Sequence, residues 1–153
     1  QHIWREASGT SSEESTQMTW FENGKFFTTT SSSMPNDKLI FARVGANDPE
    51  FNLRHDPVYI KRRNAKSTVF ASVIESHGIY STVTETPLTP FAGLKSVEVI
   101  HDSKPYTIVK ITHQKGKVWT VAIANEDAAK DAKHKVEVAA KMIEWTGPIS
   151  VKN

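Results

Sequence analysis

The tightest local constraint in this chain is a turn. Met18-Thr19-Trp20-Phe21-Glu22 runs into Asn23-Gly24 and out again through Lys25-Phe26-Phe27-Thr28-Thr29. An Asn-Gly pair adopts the positive φ angles of a type I′ turn at little cost, and that turn has the twist that joins two antiparallel strands. The flanks are rich in aromatic and β-branched residues, which suit a pleated surface. A two-residue hairpin is therefore predicted here, with the TTTSSS stretch from Thr28 to Ser33 as its polar end. The same grammar continues along the chain. Lys38–Val44, Pro57–Arg63 and Ser67–Ser76 read as strands, and Val69 to Ile74 is apolar on both parities, as in a central strand covered on both faces. Val97 and Val99 alternate with Glu98. Tyr106–His113 and Lys117–Asn125 read as a second hairpin around Gln114-Lys115-Gly116, with Trp119, Val121 and Ile123 sharing a face that parity assigns to the core. Lys135–Ala140, Lys141–Thr146 and Ile149–Lys152 complete the series.

Ten or more short strands separated by turn residues predict an all-β fold with little or no helix, an antiparallel β-sandwich. Asn125–Lys135 (NEDAAKDAKHK) is rich in Ala and Lys but has no apolar stripe, so a turn of helix and a solvated loop both remain open. Ser8–Ser15 (SGTSSEES) reads as a mobile polar loop. No repeat or linker divides the chain, and its 153 residues suit a single β-sandwich domain. The alternation already begins at His2-Ile3-Trp4-Arg5-Glu6-Ala7, behind a first residue that is Gln. That favours a piece cut from a longer chain.

Composition removes several classes of function. No run approaches the roughly 20 apolar residues of a membrane helix. Without cysteine there is no disulfide scaffold, thiol nucleophile, or Cys-based zinc or iron–sulfur site. A cysteine-free chain suits a periplasmic or secreted bacterial domain and is compatible with a cytosolic one. Nineteen Lys and Arg against seventeen Asp and Glu leave a net charge of only +2, too even a balance to argue for nucleic acid. The cluster Lys61-Arg62-Arg63 could meet an acidic ligand, or be a solvated strand end.

The densest polar stretch runs from Gly45 to Pro57 and contains Asn47, Asp48, Asn52, Arg54 and His55. One reading is a ligand-facing loop in which Arg54 grips a carboxylate and His55 moves protons. The other is a long crossover loop, fixed by Asx turns, Pro49 and an internal Arg–Asp pair. Of the six histidines, His101 with Asp102 and His113 could meet across neighbouring strands around a metal; the spacing of zinc proteases is absent. Tyr59, Tyr80 and Tyr106 lie in strand-like runs where packing is the stronger expectation. Trp4 and Trp20 are the tryptophans best placed to be exposed and stack on a sugar. No phosphate-binding loop, dinucleotide fingerprint or nucleophile elbow occurs.

Within Leu39–Arg63, the block ARVGANDPEFNLRHDP resembles the carboxy-terminal β-region of heparinase II/III-like polysaccharide lyases, with oligoalginate lyases as the nearest branch. VFASVIESHGIY, within Val69–Glu85, resembles the strand and turn that follow it there. The likeness covers roughly residues 39–125. It implies a parent of several hundred residues with an amino-terminal α/α toroid followed by antiparallel sheets, cleaving uronate polysaccharide by β-elimination. The Asn, His and Tyr groups and the metal site of that family belong to the earlier region, so the resemblance carries no catalytic residue, metal ligand or cofactor to this chain. It does carry the GANDPEFNLR loop as a family feature that docks the rest of the enzyme or frames its cleft.

Three readings follow. The first is a non-catalytic terminal β-sandwich whose partners are the toroid and sheet region of its own parent, with uronate polymer met through the parent and a homodimer compatible. Neither nucleic acid nor membrane is expected as a partner. The second is a carbohydrate-binding module using Trp4 or Trp20 with Arg43, Arg54 and Lys61. The third is a self-contained enzyme using His55, Asp56 and Tyr59, for which no complete acid, base and charge-neutralising set is evident.

Overall fold

The computed structural model describes residues 3–45 and 56–153. Thirteen strands make up its regular structure, and no helix occurs among the described residues; accordingly none is long and apolar enough to cross a membrane. In chain order the strands are β1 (Ile3–Thr10), β2 (Ser15–Glu22), β3 (Lys25–Ser32), β4 (Lys38–Val44), β5 (Asp56–Arg62), β6 (Ser72–Ser81), β7 (Thr86–Leu88), β8 (Leu94–Asp102), β9 (Tyr106–His113), β10 (Val118–Ala124), β11 (Lys133–Val138), β12 (Lys141–Thr146) and β13 (Ile149–Lys152). Every pairing is antiparallel. The fold class is the all-β sandwich that the alternation predicts. The chain divides into two compact units, Gln1–Glu13 with Ser33–Thr68 and Glu14–Ser32 with Val69–Asn153.

The first unit is a three-stranded sheet in the order β1-β4-β5. Ala42, at the centre of β4, is fully buried, whereas every residue of the edge strand β1 is exposed. The polar loop expected over Ser8–Ser15 is much shorter. Ser8, Gly9 and Thr10 pair with Ile40, Leu39 and Lys38, and Ser15 pairs with Ser32. A ladder satisfies backbone groups whatever the side-chain polarity, so β4 and β3 extend the strands past the point where hydrophobicity fades.

The second unit holds two four-stranded sheets, β2-β3-β6-β7 and β13-β10-β9-β8, and the hairpin β11-β12. Asn23 and Gly24 have φ of 49° and 78°, the turn their sequence demands. Ile108, Ala122, Ala124 and Trp145 form the buried cluster, with Tyr106, Val136 and Ile143 packed against it. Trp119, Val121 and Ile123 share a face, but the buried side chains of β10 are Ala122 and Ala124 on the opposite parity; Trp119 is half-buried. The small side chains lie where the β11-β12 hairpin packs its tryptophan, which reverses the face that residue size suggests.

The strand expected at Ser67–Ser76 starts at Ser72 and runs to Ser81. It occupies an interior place in its sheet, yet Ile74 is 66% exposed, so it is not covered on both faces. Its limits follow from β3, which pairs from Lys25↔Ile79 to Ser31↔Ser72. Asn125–Lys135 forms a loop rather than a helix, with the Asp127 carboxylate accepting from the Ala129 N–H at 2.9 Å, before β11 begins at Lys133.

Candidate functional site

Asn47, Asp48, Asn52, Arg54 and His55 lie outside the described residues. Their segment connects β4 to β5, whose last pair towards it is Val44↔Asp56. Asp56 and Tyr59 are three positions apart on β5 and so project to opposite faces of the sheet. They do not form one acid–base group. Of the basic cluster, Arg62 is exposed and Arg63 is not a solvated strand end. Its guanidinium donates through Nε to Asp37 Oδ1 at 2.7 Å and through Nη2 to Oδ2 at 2.6 Å, while Nη1 reaches Thr68 Oγ1 at 2.7 Å. The Met34 N–H also donates to Asp37 Oδ2, at 2.9 Å. The hydrogen bonds from Arg63 hold the Asp37 carboxyl below its usual range, and Asp37 in turn raises the guanidinium. Burial lowers the Lys61 ammonium, partly offset by Asp37. This forked, charge-assisted pair ties the turn before β4 to the end of β5.

Trp4 is 48% exposed and pairs across the ladder with Arg43. Arg43 Nε is engaged by Glu6 Oε1 at 2.5 Å. In the second unit Trp20 is half-buried and stacks on Phe27, centroids 5.6 Å apart. Trp119 lies under the Lys117 ammonium at 5.1 Å, and Trp145 is buried.

The histidines expected to share a metal are separated. His101 pairs with Ile108 and His113 with Leu94, near opposite ends of β9. His101 bonds Ser103 Oγ at 2.9 Å, and His113 Nδ1 accepts from the Lys115 N–H at 3.0 Å. Among the described residues no group of three His, Asp or Glu side chains comes together.

The most ordered polar constellation was not singled out by sequence. On β6 the residues Ser76 to Gly78 oppose only Phe26 and Phe27, so His77 is the extra residue of a β-bulge. Its Nδ1 lies 3.0 Å from the Thr89 carbonyl and so carries the proton; Nε2 then accepts from the Thr28 hydroxyl at 2.8 Å. Thr28, fully buried, is 2.7 Å from Thr19 Oγ1. Beside it a cavity of about 400 Å³ is lined by Lys25, His77, Ile79 and Leu88 among others. Gly78 is required there, since a Cβ would lie 2.2 Å from the Thr89 carbonyl oxygen. Two residues earlier, Glu75 accepts from the N–H groups of Gly93 and Leu94 at 2.9 and 3.0 Å. Both ring nitrogens of His77 and the Glu75 carboxylate are thus committed to the protein's own backbone and hydroxyls. This arrangement fastens β6 to β7 and β8; it leaves no free base for proton transfer. The signal that could have found it is HG in SHGIY, where a glycine inside a strand marks a bulge or close approach.

A larger hollow of about 630 Å³ is lined by Lys133, Lys135, Glu144 and Lys152, with His134 and Trp145 beneath. Nε2 of His134 and Nε1 of Trp145 are sealed from solvent and make no hydrogen bond among the described residues. They stand in an aromatic group with Tyr106, whose ring centroid is 5.1 Å from that of Trp145.

No protein-family model matches the chain. Against curated proteins it is 32% identical over 155 positions to an exo-oligoalginate lyase of Saccharophagus degradans, covering 99% of this chain and 21% of that protein. It is 27% identical over 148 positions to an alginate lyase of Stenotrophomonas maltophilia, covering 96% of this chain and 20% of the relative. The chain therefore matches a small part of a larger lyase and spans about one fifth of the length of these relatives.

Proposed function

We propose that this chain, a homologue of one small part of larger alginate lyases, is the non-catalytic β-sandwich domain of a heparinase II/III-like enzyme that depolymerises uronate polysaccharide by β-elimination. The reading rests on the alignment: nearly the whole chain is matched, and four fifths of each relative lies outside it. Elimination needs a group to neutralise the carboxylate, a base for the C5 proton and an acid for the leaving O4 in one place. Three of the described polar groups are instead tied into internal bonds, Asp37–Arg63, Glu75–Gly93 and Thr28–His77. Such a domain braces the toroid and sheet region of its parent, and uronate polymer reaches it only through that parent. A cysteine-free chain serving an enzyme for an extracellular polymer fits the periplasm or the outside of a bacterium.

The test compares the full-length protein with these 153 residues on alginate, following the ultraviolet absorbance of the new C4–C5 double bond. The full chain is expected to form unsaturated product and the 153-residue chain none. Elimination by the short chain would overturn the reading. The second reading, a carbohydrate-binding module, draws on Trp4, 48% exposed beside Arg43. Calorimetric titration with alginate oligomers decides it, because heat that vanishes in Trp4→Ala is the result it requires.

A further inference from the structure

The sheet β1-β4-β5 carries a glycine that its backbone does not ask for. Gly9 lies inside β1, opposite Leu39 of β4. A glycine within a strand costs stability and packs nothing, and its usual reasons are a positive φ, a bulge, a crowded neighbour or the close approach of a ligand. Gly9 is not among the residues of positive φ. The bulge of β1 falls earlier, between Arg5 and Ala7. A Cβ built on Gly9 meets no atom within 4 Å among the described residues. Room for a ligand is what remains. Register names the neighbours of that room. Through the pairs Trp4↔Arg43, Ala7↔Phe41 and Gly9↔Leu39, the small residues Ala7 and Gly9 share a face with Trp4, Phe41 and Arg43. Pro57, Tyr59 and Lys61 of β5 continue the same face. Trp4 is 48% and Phe41 37% exposed, and the Arg43 side chain 46%. Glu6, the extra residue of the bulge, engages Arg43 Nε at 2.5 Å, while the two Nη groups make no bond among the described residues. A shallow trough floored by Ala7 and Gly9 thus runs beside an indole, a phenyl ring and a guanidinium, about 13 Å from the Arg43 row to the Leu39 row.

We infer that this trough seats a uronate oligosaccharide, an inference that deepens, and rests on, the reading of the domain as a carbohydrate-binding module. The chemistry of the face selects that ligand. A pyranose ring offers its C–H face to an aromatic ring, and Trp4 and Phe41 are exposed to receive it. A uronate adds a carboxylate, and the two Nη groups of Arg43 are a planar fork of donors for one. Two cations, Arg43 and Lys61, share the face with one carboxylate, Glu6, which Arg43 already neutralises through Nε. A neutral glycan would meet the rings and leave the fork unused. The parent proposed above acts on the same class of polymer, so the trough would hold a chain that the parent cleaves elsewhere.

The experiment uses the full-length protein on alginate oligomers. Losing a seat that holds substrate and transition state alike raises KM and leaves kcat unchanged. Trp4→Ala, Phe41→Ala, Arg43→Gln and Gly9→Val are each expected to raise KM by about threefold or more at constant kcat. Gly9→Val separates binding from folding. Valine suits a strand and has room here, so the melting temperature is expected to hold or rise while KM rises. Phe91→Ala, at a position 82% exposed in the second unit, is expected to change neither constant. These 153 residues contain no cysteine, so Gly9→Cys reports occupancy at its own peptide after maleimide labelling. Excess alginate oligomers are expected to slow that labelling by about threefold or more, and neutral cello-oligomers to leave it unchanged. Unchanged KM in the four variants overturns the inference. So does a fall in kcat at constant KM, or a thiol that alginate oligomers leave as reactive as before. A thiol protected in the native protein without sugar, relative to the same protein in denaturant, also overturns it, because another part of the polypeptide then fills the trough. A rise in KM for Trp4→Ala and Arg43→Gln alone sinks the trough and leaves the binding-module reading standing. A full-length protein inactive on alginate sinks the lyase reading, and the labelling of Gly9→Cys then decides the seat by itself.

Discussion

At the scale of residues, two turns of the same type show what a sequence can and cannot announce. Asn23-Gly24 and Ala139-Ala140 both close tight hairpins with positive φ at both central positions, 49° and 78° in the first, 48° and 62° in the second. The first pair is built for that conformation. The second is not, because an alanine Cβ crowds the neighbouring carbonyl in left-handed backbone. The twist of β11 and β12 and the pairing Val138↔Lys141 impose it. Replacing Ala139 by Asn and Ala140 by Gly is expected to stabilise the protein by about 1 kcal/mol or somewhat more, raising the melting temperature by roughly 2–4 °C. Calorimetry checks this. The hairpin Asn23-Gly24 was legible because its turn chemistry is local. The Ala-Ala turn was not, because its conformation is dictated by the paired strands. Trp145 was likewise missed as the centre of the buried cluster: its neighbours Glu144 and Thr146 give no local hint of Ile108 or Ala124.

At the scale of elements, most strands were legible, since alternation and turn residues survive in any register. Boundaries were not, because partners set them: β3 positions β6, and β4 carries β1 through Ser8–Thr10. The same limit explains the Asp37–Arg63 pair. Twenty-six positions separate the two, and only the return of β5 alongside β4 brings the end of one element onto the turn before another. The pair is nearly fully buried, with side-chain exposures of 1% and 9%. Asp37→Asn is expected to cost about 3 kcal/mol, because it leaves a buried guanidinium without its counter-charge. The pH dependence has a definite sign. A carboxyl held below its ordinary value of 3.8 stabilises the folded state fully above that value, and the contribution fades as pH falls through the lower folded-state value. The gap in denaturant midpoint between wild type and Asp37→Asn should be constant from neutral pH down to about 4.5 and shrink at lower pH. A gap that persists unchanged at pH 2 would refute it. Of the candidate site, the five loop residues Asn47 to His55 fall outside the described positions, and the His77 group was hidden because Thr28 and Thr89 approach it only once the bulge forms.

At the scale of the whole molecule, the distribution of polarity sets how the protein responds to temperature. The buried apolar side chains among the described residues are eight, three of them alanines, while Thr28, Thr30, Ser31, Ser32 and Thr107 are buried as well. Unfolding hydrates both kinds of group, and their heat-capacity contributions have opposite signs. A hydroxyl-filled interior should therefore unfold with a heat-capacity increment below the ordinary ~12–15 cal/mol/K per residue, which scanning calorimetry at several pH values measures directly. A smaller increment flattens the stability curve. The consequence of threonines where valines are customary is thus a domain that loses little strength on cooling, with its cold-denaturation temperature displaced far below freezing.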